Sequence, residues 1–241
     1  MNQRQIERRK RFAAMRRRQL EREERQDPQQ RAECVVGKTP RGPWGGDPNR
    51  NQRHRWVDQP MFQGGSFAVE HIRDGEVIGR HEFPNGIVNE GLNNNLNVYF
   101  DSGTQRTAWY MGLIDNSGYS ALDATDIYDD INQVGNGWDE FDDYTDANNG
   151  DSATTRPEWP PDAASGQSIT NTTTKAIFDI TASGTVKGIF IAGGTNAQTK
   201  NDHTAGTANT LWSTALFSGG DVTVQNGDQL KVTYTVNAST T

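Results

Sequence analysis

The chain is short of the residues on which small folds most often rely. It holds one cysteine, Cys34, so no internal disulfide can staple it and stability must come from packing or assembly. Apolar residues make up only 32% of it. Beside 25 glycines, that shortage points to long loops, an extended arm, or burial borrowed from neighbouring subunits. No apolar run has the length of a signal segment or a membrane span, which leads to the expectation of a protein made in the cytoplasm with no membrane partner. Catalytic patterns are missing too. No glycine-rich phosphate loop ends in Lys-Ser or Lys-Thr, no nucleophile elbow is present, and Cys34 has no ordered base beside it. Carboxylates abound, yet a glycosidase needs two of them at a fixed separation in a cleft, which residue order does not reveal. His54 and His71 lack partners at metal-ligand spacing and read as ordinary polar residues. The expectation is a non-enzymatic protein with no cofactor and no resident metal.

What is present divides the chain by charge. Residues 1–60 carry 16 Lys and Arg against 8 Asp and Glu, a net of +8, whereas residues 61–241 carry 8 against 23, a net of −15. A basic segment on an acidic body usually docks on something anionic, whether nucleic acid, an acidic protein face or the body of a sister copy.

Residues 1–27 are built almost wholly from strong helix formers, with Ile6, Ala13 and Leu20 on a thin seam. Arg8, Arg9, Lys10, Arg11, Arg16, Arg17 and Arg18 repel one another until an anion screens them, so they are the candidate docking residues. Asp27-Pro28 stops the helix. Residues 28–65 then form a linker with five prolines, expected to be extended. In it Trp44, Trp56 and Phe62 are interleaved with Arg41, Arg50, Arg53 and Arg55. These aromatics could stack on bases, but isolated aromatic anchors on a long arm fit better with lacing onto another protein surface or a sister subunit, where a pocket buries them.

Residues 66–241 read as one mainly β domain, an antiparallel β-sandwich of the jelly-roll or Ig-like kind with one packed helix. Phe67–Arg73 and Glu76–Phe83 flank Asp74-Gly75, the commonest two-residue hairpin turn. Apolar spacing then changes to three and four, predicting a helix over Ile87–Phe100 whose apolar stripe lies on the sandwich. Ala108–Ile114 is a buried-type strand. An acidic stretch from Asp123 to Asp151 reads as a solvated rim; a calcium loop at Asp142–Asp151 fits no EF-hand spacing. Trp138, Phe141, Tyr144 and Trp159 are expected to pack under the sheet edge, blunted by Pro157, Pro160 and Pro161. Four further strands lie within 174–180, 186–191, 211–217 and 230–236, with turns at Ala182-Ser183-Gly184, Gly193-Gly194-Thr195, Ser218–Asp221 and Gln225–Asp228. In the last strand Leu230, Val232, Tyr234 and Val236 alternate inward against Lys231, Thr233 and Thr235.

Several blocks in order, Phe83-Pro84-Asn85-Gly86-Ile87-Val88-Asn89-Glu90-Gly91-Leu92-Asn93-Asn94-Asn95-Leu96, Trp109-Tyr110-Met111-Gly112-Leu113-Ile114, Thr155-Arg156-Pro157-Glu158-Trp159, Gly188-Ile189-Phe190-Ile191 and Gly227-Asp228-Gln229-Leu230-Lys231-Val232-Thr233-Tyr234, resemble a family of virion structural proteins of tailed bacteriophages. The resemblance covers residues 67–237 and leaves 1–60 outside. It implies a capsid decoration (cement) or head-fibre subunit, self-associating as a homotrimer, with the major capsid protein as partner and the virion as its location. The alternatives are a head-to-tail connector or tail component whose basic arm contacts packaged DNA or the portal, and a glycan-binding fibre domain.

Overall fold

The computed structural model describes residues 61–133, 137–202 and 208–240. The expected basic helix and most of the linker lie outside these residues. The strands are β1 (Met61–Arg73), β2 (Glu76–Pro84), β3 (Gly86–Ile87), β4 (Trp109–Asp115), β5 (Glu140–Phe141), β6 (Tyr144–Asp146), β7 (Ser168–Thr170), β8 (Ala176–Ile180), β9 (Gly184–Gly194), β10 (Asn209–Leu216), β11 (Val222–Val224) and β12 (Gln229–Thr240), with helix α1 (Asn89–Phe100) between β3 and β4. One sheet runs β2-β1-β12-β8-β6, with β7 also on β12; the other runs β3-β10-β9-β4-β5, with β11 also on β9. Every pairing between named strands is antiparallel. The two layers make the expected β-sandwich.

Local chemistry accounts for the frame. Asp74 and Gly75 both take positive φ, 51° and 80°, which lets a two-residue turn match the twist of β1 and β2. Along β12, Leu230, Val232, Tyr234 and Val236 are buried while their odd-numbered neighbours are more exposed. They meet Phe67, Val69, Phe83, Ala176 and Phe178 of their own sheet and Met111, Leu113, Ile189, Ile191 and Trp212 of the facing one. The central strand β9 reads as a continuous apolar run because both faces are covered. Its Ile189 and Ile191 enter the inter-sheet core, and its Phe190 and Ala192 enter a second cluster with Val88, Ile114, Tyr128, Ile131 and Trp138. Gly112 on β4 makes that second layer possible, since a Cβ there would lie 2.1 Å from Phe190 Cζ.

Several expectations need correction. β1 starts at Met61, inside the segment read as linker, and the backbone of Phe62 is paired opposite Ser239. Gly184 is not a turn residue; it opens β9, and a Cβ on it would meet the Phe141 ring at 2.3 Å. Gly193 likewise lies within β9. The acidic stretch is not wholly a solvated rim: Glu140 and Asp146 are buried. His71, read as an ordinary polar residue, is buried and hydrogen-bonded to Asp228. The prolines after Arg156 blunt β4 by a different route from simple obstruction. Pro157 O accepts from Met111 N at 2.9 Å and Trp159 N donates to Trp109 O at 2.7 Å, so the segment itself occupies the edge. As expected, Trp138, Phe141, Tyr144 and Trp159 are buried.

Candidate functional site: an aromatic docking face

Helix α1 is attached by its glycine and its polar residues, not by its apolar stripe. Gly91, Asn94, Asn95 and Val98, spaced three and four apart, are its less exposed residues. A Cβ at Gly91 would sit 2.7 Å from the Trp212 carbonyl oxygen, so only glycine lets the helix backbone lie this close to β10. Glu90 fastens the same end, its Oε2 accepting from Leu211 N at 2.7 Å and from Tyr128 N at 3.0 Å. Burial raises the pKa of this carboxyl, and the two backbone donors pull against that rise. At the far end Asn97 O accepts from both Asp101 N and Gly103 N.

The expectation that the apolar stripe of α1 lies on the sandwich is therefore overturned. Leu92, Leu96, Tyr99 and Phe100 are exposed by 37, 53, 77 and 81% respectively. They share the outward side because the close approach at Gly91 fixes which side points in. Between Glu90 and Asp101 the helix carries no charge. The result is an uncharged apolar ridge on an otherwise acidic body.

Beside this ridge opens a cavity of about 210 Å³, bounded by Asn95 and Tyr99 of α1, by Trp109, Trp159 and Trp212, and by Ile169, Ile191 and Val236. The tryptophans reach it from different elements, yet one residue fixes two of them. Trp212 Nε1 donates to Tyr234 Oη at 2.8 Å and Trp159 Nε1 donates to Tyr234 O at 3.2 Å. Trp109 is held edge-on to Trp212 at 5.9 Å between ring centroids, lying over Gly193, where a Cβ would meet its ring at 2.7 Å. With both indole N–H groups of Trp159 and Trp212 engaged internally, their rings give the cavity apolar walls. An apolar cavity of about 150 Å³ takes a benzene-sized guest, so this one has room for a single aromatic or branched aliphatic side chain.

The buried charged groups are closed off by one another. Arg156, with no exposed surface, donates from Nε and Nη2 to Glu140 at 2.8 and 2.7 Å and from Nη1 to Ala197 O and Tyr128 Oη. Tyr144 Oη and Asn201 N complete the carboxylate. Burial opposes the charge on Arg156, but Glu140 outweighs it and holds the guanidinium pKa above its ordinary value. Burial pushes the Tyr128 phenol up to about 12. At the β11–β12 turn, Asp228 accepts from Arg73 Nε and Nη2 at 2.6 and 2.8 Å and from Gln225 N, with His71 Nε2 at 2.8 Å. The hydrogen bonds from Arg73 outweigh burial and keep this carboxyl well below the usual range.

A polar hollow of about 310 Å³ bounded by Tyr119, Asp123, Asp126, Asp130 and Trp138 has its three carboxylates engaged internally. Thr125 N and Oγ1 donate to Asp123, Tyr119 Oη to Asp126, and Ile127 N to Asp130. Burial, with Asp123 and Asp130 adding to it, raises the pKa of Asp126. In the 142–151 loop, Asp146 accepts from Asn148 N and Thr155 Oγ1, and Asp142 from Asn201 Nδ2. Among the described residues no group of three His, Cys, Asp or Glu is placed to hold a metal ion.

Of the residues singled out in the sequence, Trp44, Trp56, Arg8, Arg9, Lys10, Arg11, Arg16, Arg17 and Arg18 lie outside the described residues. The docking face is made by others: Tyr99, Phe100, Trp109, Trp159 and Trp212. A signal for it was available in the lone glycine of Gly91–Phe100, set at helical spacing from Asn94, Asn95 and Val98, with every charge missing. No family model, no curated protein and no solved structure matches the chain.

Proposed function

We propose that the protein is a non-enzymatic structural subunit of a bacteriophage particle, a capsid decoration or head-fibre subunit whose sandwich docks on other protein through the ridge of α1 and the tryptophan cavity beside it. The observation that carries this reading is the uncharged apolar ridge next to a cavity with room for one ring. Exposed apolar patches rimmed by polar residues mark protein contact sites, and buried aromatics in pockets supply most of the energy at such contacts. The mutual closure of Arg156–Glu140 and of Asp228 with Arg73 and His71 supports a scaffold role for the buried charges. The basic segment 1–60, with Trp44 and Trp56, adds charge complementarity toward the acidic surfaces of capsid or sister subunits, which speeds docking and sets register.

Incorporation into particles tests the reading. Particles assembled with the wild-type chain should retain it through sedimentation, whereas a Leu96→Asp/Phe100→Asp chain and a chain lacking residues 1–60 should each be lost from the particle fraction. Undiminished retention of both variants would overturn it.

A further inference from the structure

We propose that the partner which covers this face is a second copy of the same chain, with Phe100 of one copy seated in the tryptophan cavity of the other. The inference deepens the docking reading above by naming its occupant. Three observations favour self-association over a foreign protein.

The first is charge. Residues 61–241 carry a net of −15, so most approaches between the bodies of two copies bring carboxylates together. The segment Gly91–Phe100 carries none, which makes it a surface that two like-charged bodies can share. A basic partner would be met better by the acidic surface elsewhere.

The second is shape. Phe100 stands out by 81% beside a cavity of about 210 Å³. Knob and hole lie on one surface of one molecule, as a self-complementary contact requires. Tyr99, at the cavity rim and 6.5 Å from Phe100 between ring centroids, spans the two.

The third is area. A fully covered aromatic buries about 150–250 Å², so the exposed parts of Leu92, Leu96, Tyr99 and Phe100 together offer on the order of 450 Å². With the cavity walls added, two copies together would bury on the order of 1,000 Å², the lower bound for a specific interface and short of the standard ~1,600 Å², so association should depend on concentration.

The test is the mass of the full chain by analytical ultracentrifugation across a dilution series, with particle retention measured in parallel. The wild type should sediment as an oligomer at micromolar concentration. Leu96→Asp and Phe100→Asp, at exposed positions, should weaken association by at least about tenfold, or about 1.4 kcal/mol, with unfolding midpoints unchanged. Val77→Asp, which adds the same charge on the exposed edge of β2, should leave the mass as it is. A wild type that is monomeric throughout overturns the proposal, as does a Phe100→Asp chain with wild-type mass or a Val77→Asp chain that dissociates equally. A monomer that still joins particles overturns this contact and leaves the subunit reading standing. An oligomer broken by Phe100→Asp but never found in particles supports this contact and overturns the subunit reading.

Discussion

Arg156 and Glu140 form a bidentate ion pair from which solvent is wholly excluded, with N–O distances of 2.8 and 2.7 Å. The pair joins the loop after β6 to the two-residue strand β5, and it fills the space beneath Phe190, whose ring lies 5.1 Å from the guanidinium carbon. Removing one partner strands the other charge in a medium that cannot solvate it. Arg156→Met should therefore cost about 3–5 kcal/mol, while Glu140→Leu/Arg156→Met should recover much of that loss because no lone charge remains. Urea unfolding of the two single variants and the double variant measures the coupling directly. A double variant no better than Arg156→Met would show that the pair contributes packing instead of charge compensation.

Asp228 gives the fold an acid-sensitive joint. Its pKa is depressed in the folded state, chiefly by Arg73 and then by His71, against about 3.9 for an unfolded aspartate. Between these values the unfolded chain binds more protons than the folded one, so stability rises with pH there. The contribution is in place above about pH 4 and is lost as pH falls toward the folded value. Asp228→Asn should cost about 2–3 kcal/mol at neutral pH, less than a fully sealed pair because Arg73 remains one-third exposed. It should also flatten the acid limb of the melting temperature plotted from pH 2 to pH 6. An unchanged limb would move the acid sensitivity to another carboxylate.

Gly91 and Asn93 on the same helix should respond to alanine in opposite directions. At exposed Asn93 the change gains helix propensity, a few tenths of a kcal/mol. At Gly91 the propensity gain of about 1 kcal/mol meets a Cβ placed 2.7 Å from Trp212 O and 2.9 Å from Trp212 Cα. Those are backbone atoms of a central strand and cannot swing aside, so overpacking of about 1–3 kcal/mol wins. Thermal unfolding of the two variants checks the sign, and a red shift of tryptophan emission in Gly91→Ala would report the helix lifting from β10.

These cases show which features a linear reading reaches. The Asp74-Gly75 hairpin and the alternation of β12 are local, set by two φ angles and a period of two, and both stand in the fold as read. The helix was legible for the same reason. The side it would bury was not, because apolar spacing favours an inward Leu92–Leu96–Tyr99 stripe, and only the approach of Gly91 to Trp212, more than a hundred residues away, decides otherwise. His71 and Asp228 are separated by 157 positions, and Arg156 finds Glu140 at a separation of 16, which fits neither helix nor strand spacing. Such pairings leave no trace in residue order, so Glu140 read as part of an acidic rim and His71 as an ordinary polar residue with no partner assigned. The cavity was illegible for a related reason: its three tryptophans come from three separate stretches, brought together only when the sheets stack.

Tyr234 is the residue that holds that cavity in shape, and its hydroxyl is open to a direct test. The phenol is pushed up to about 12, mainly by burial, so it stays neutral through the physiological range and titration does not complicate the experiment. Tyr234→Phe removes the acceptor for Trp212 Nε1 and for Asn85 Nδ2, both at 2.8 Å, while the backbone acceptor for Trp159 survives. A buried N–H left without an acceptor costs about 1–3 kcal/mol, against little change in packed volume. The variant should lose stability in that range and free the Trp212 indole to turn, and a docking partner that needs a fixed aromatic wall should then bind more weakly. Because Tyr234 itself lies sealed between the sheets, weakened association without direct contact would mark it as a positioning residue. Undiminished association would show that packing alone, through Trp109 and the Gly91 contact, is enough to hold Trp212 in place.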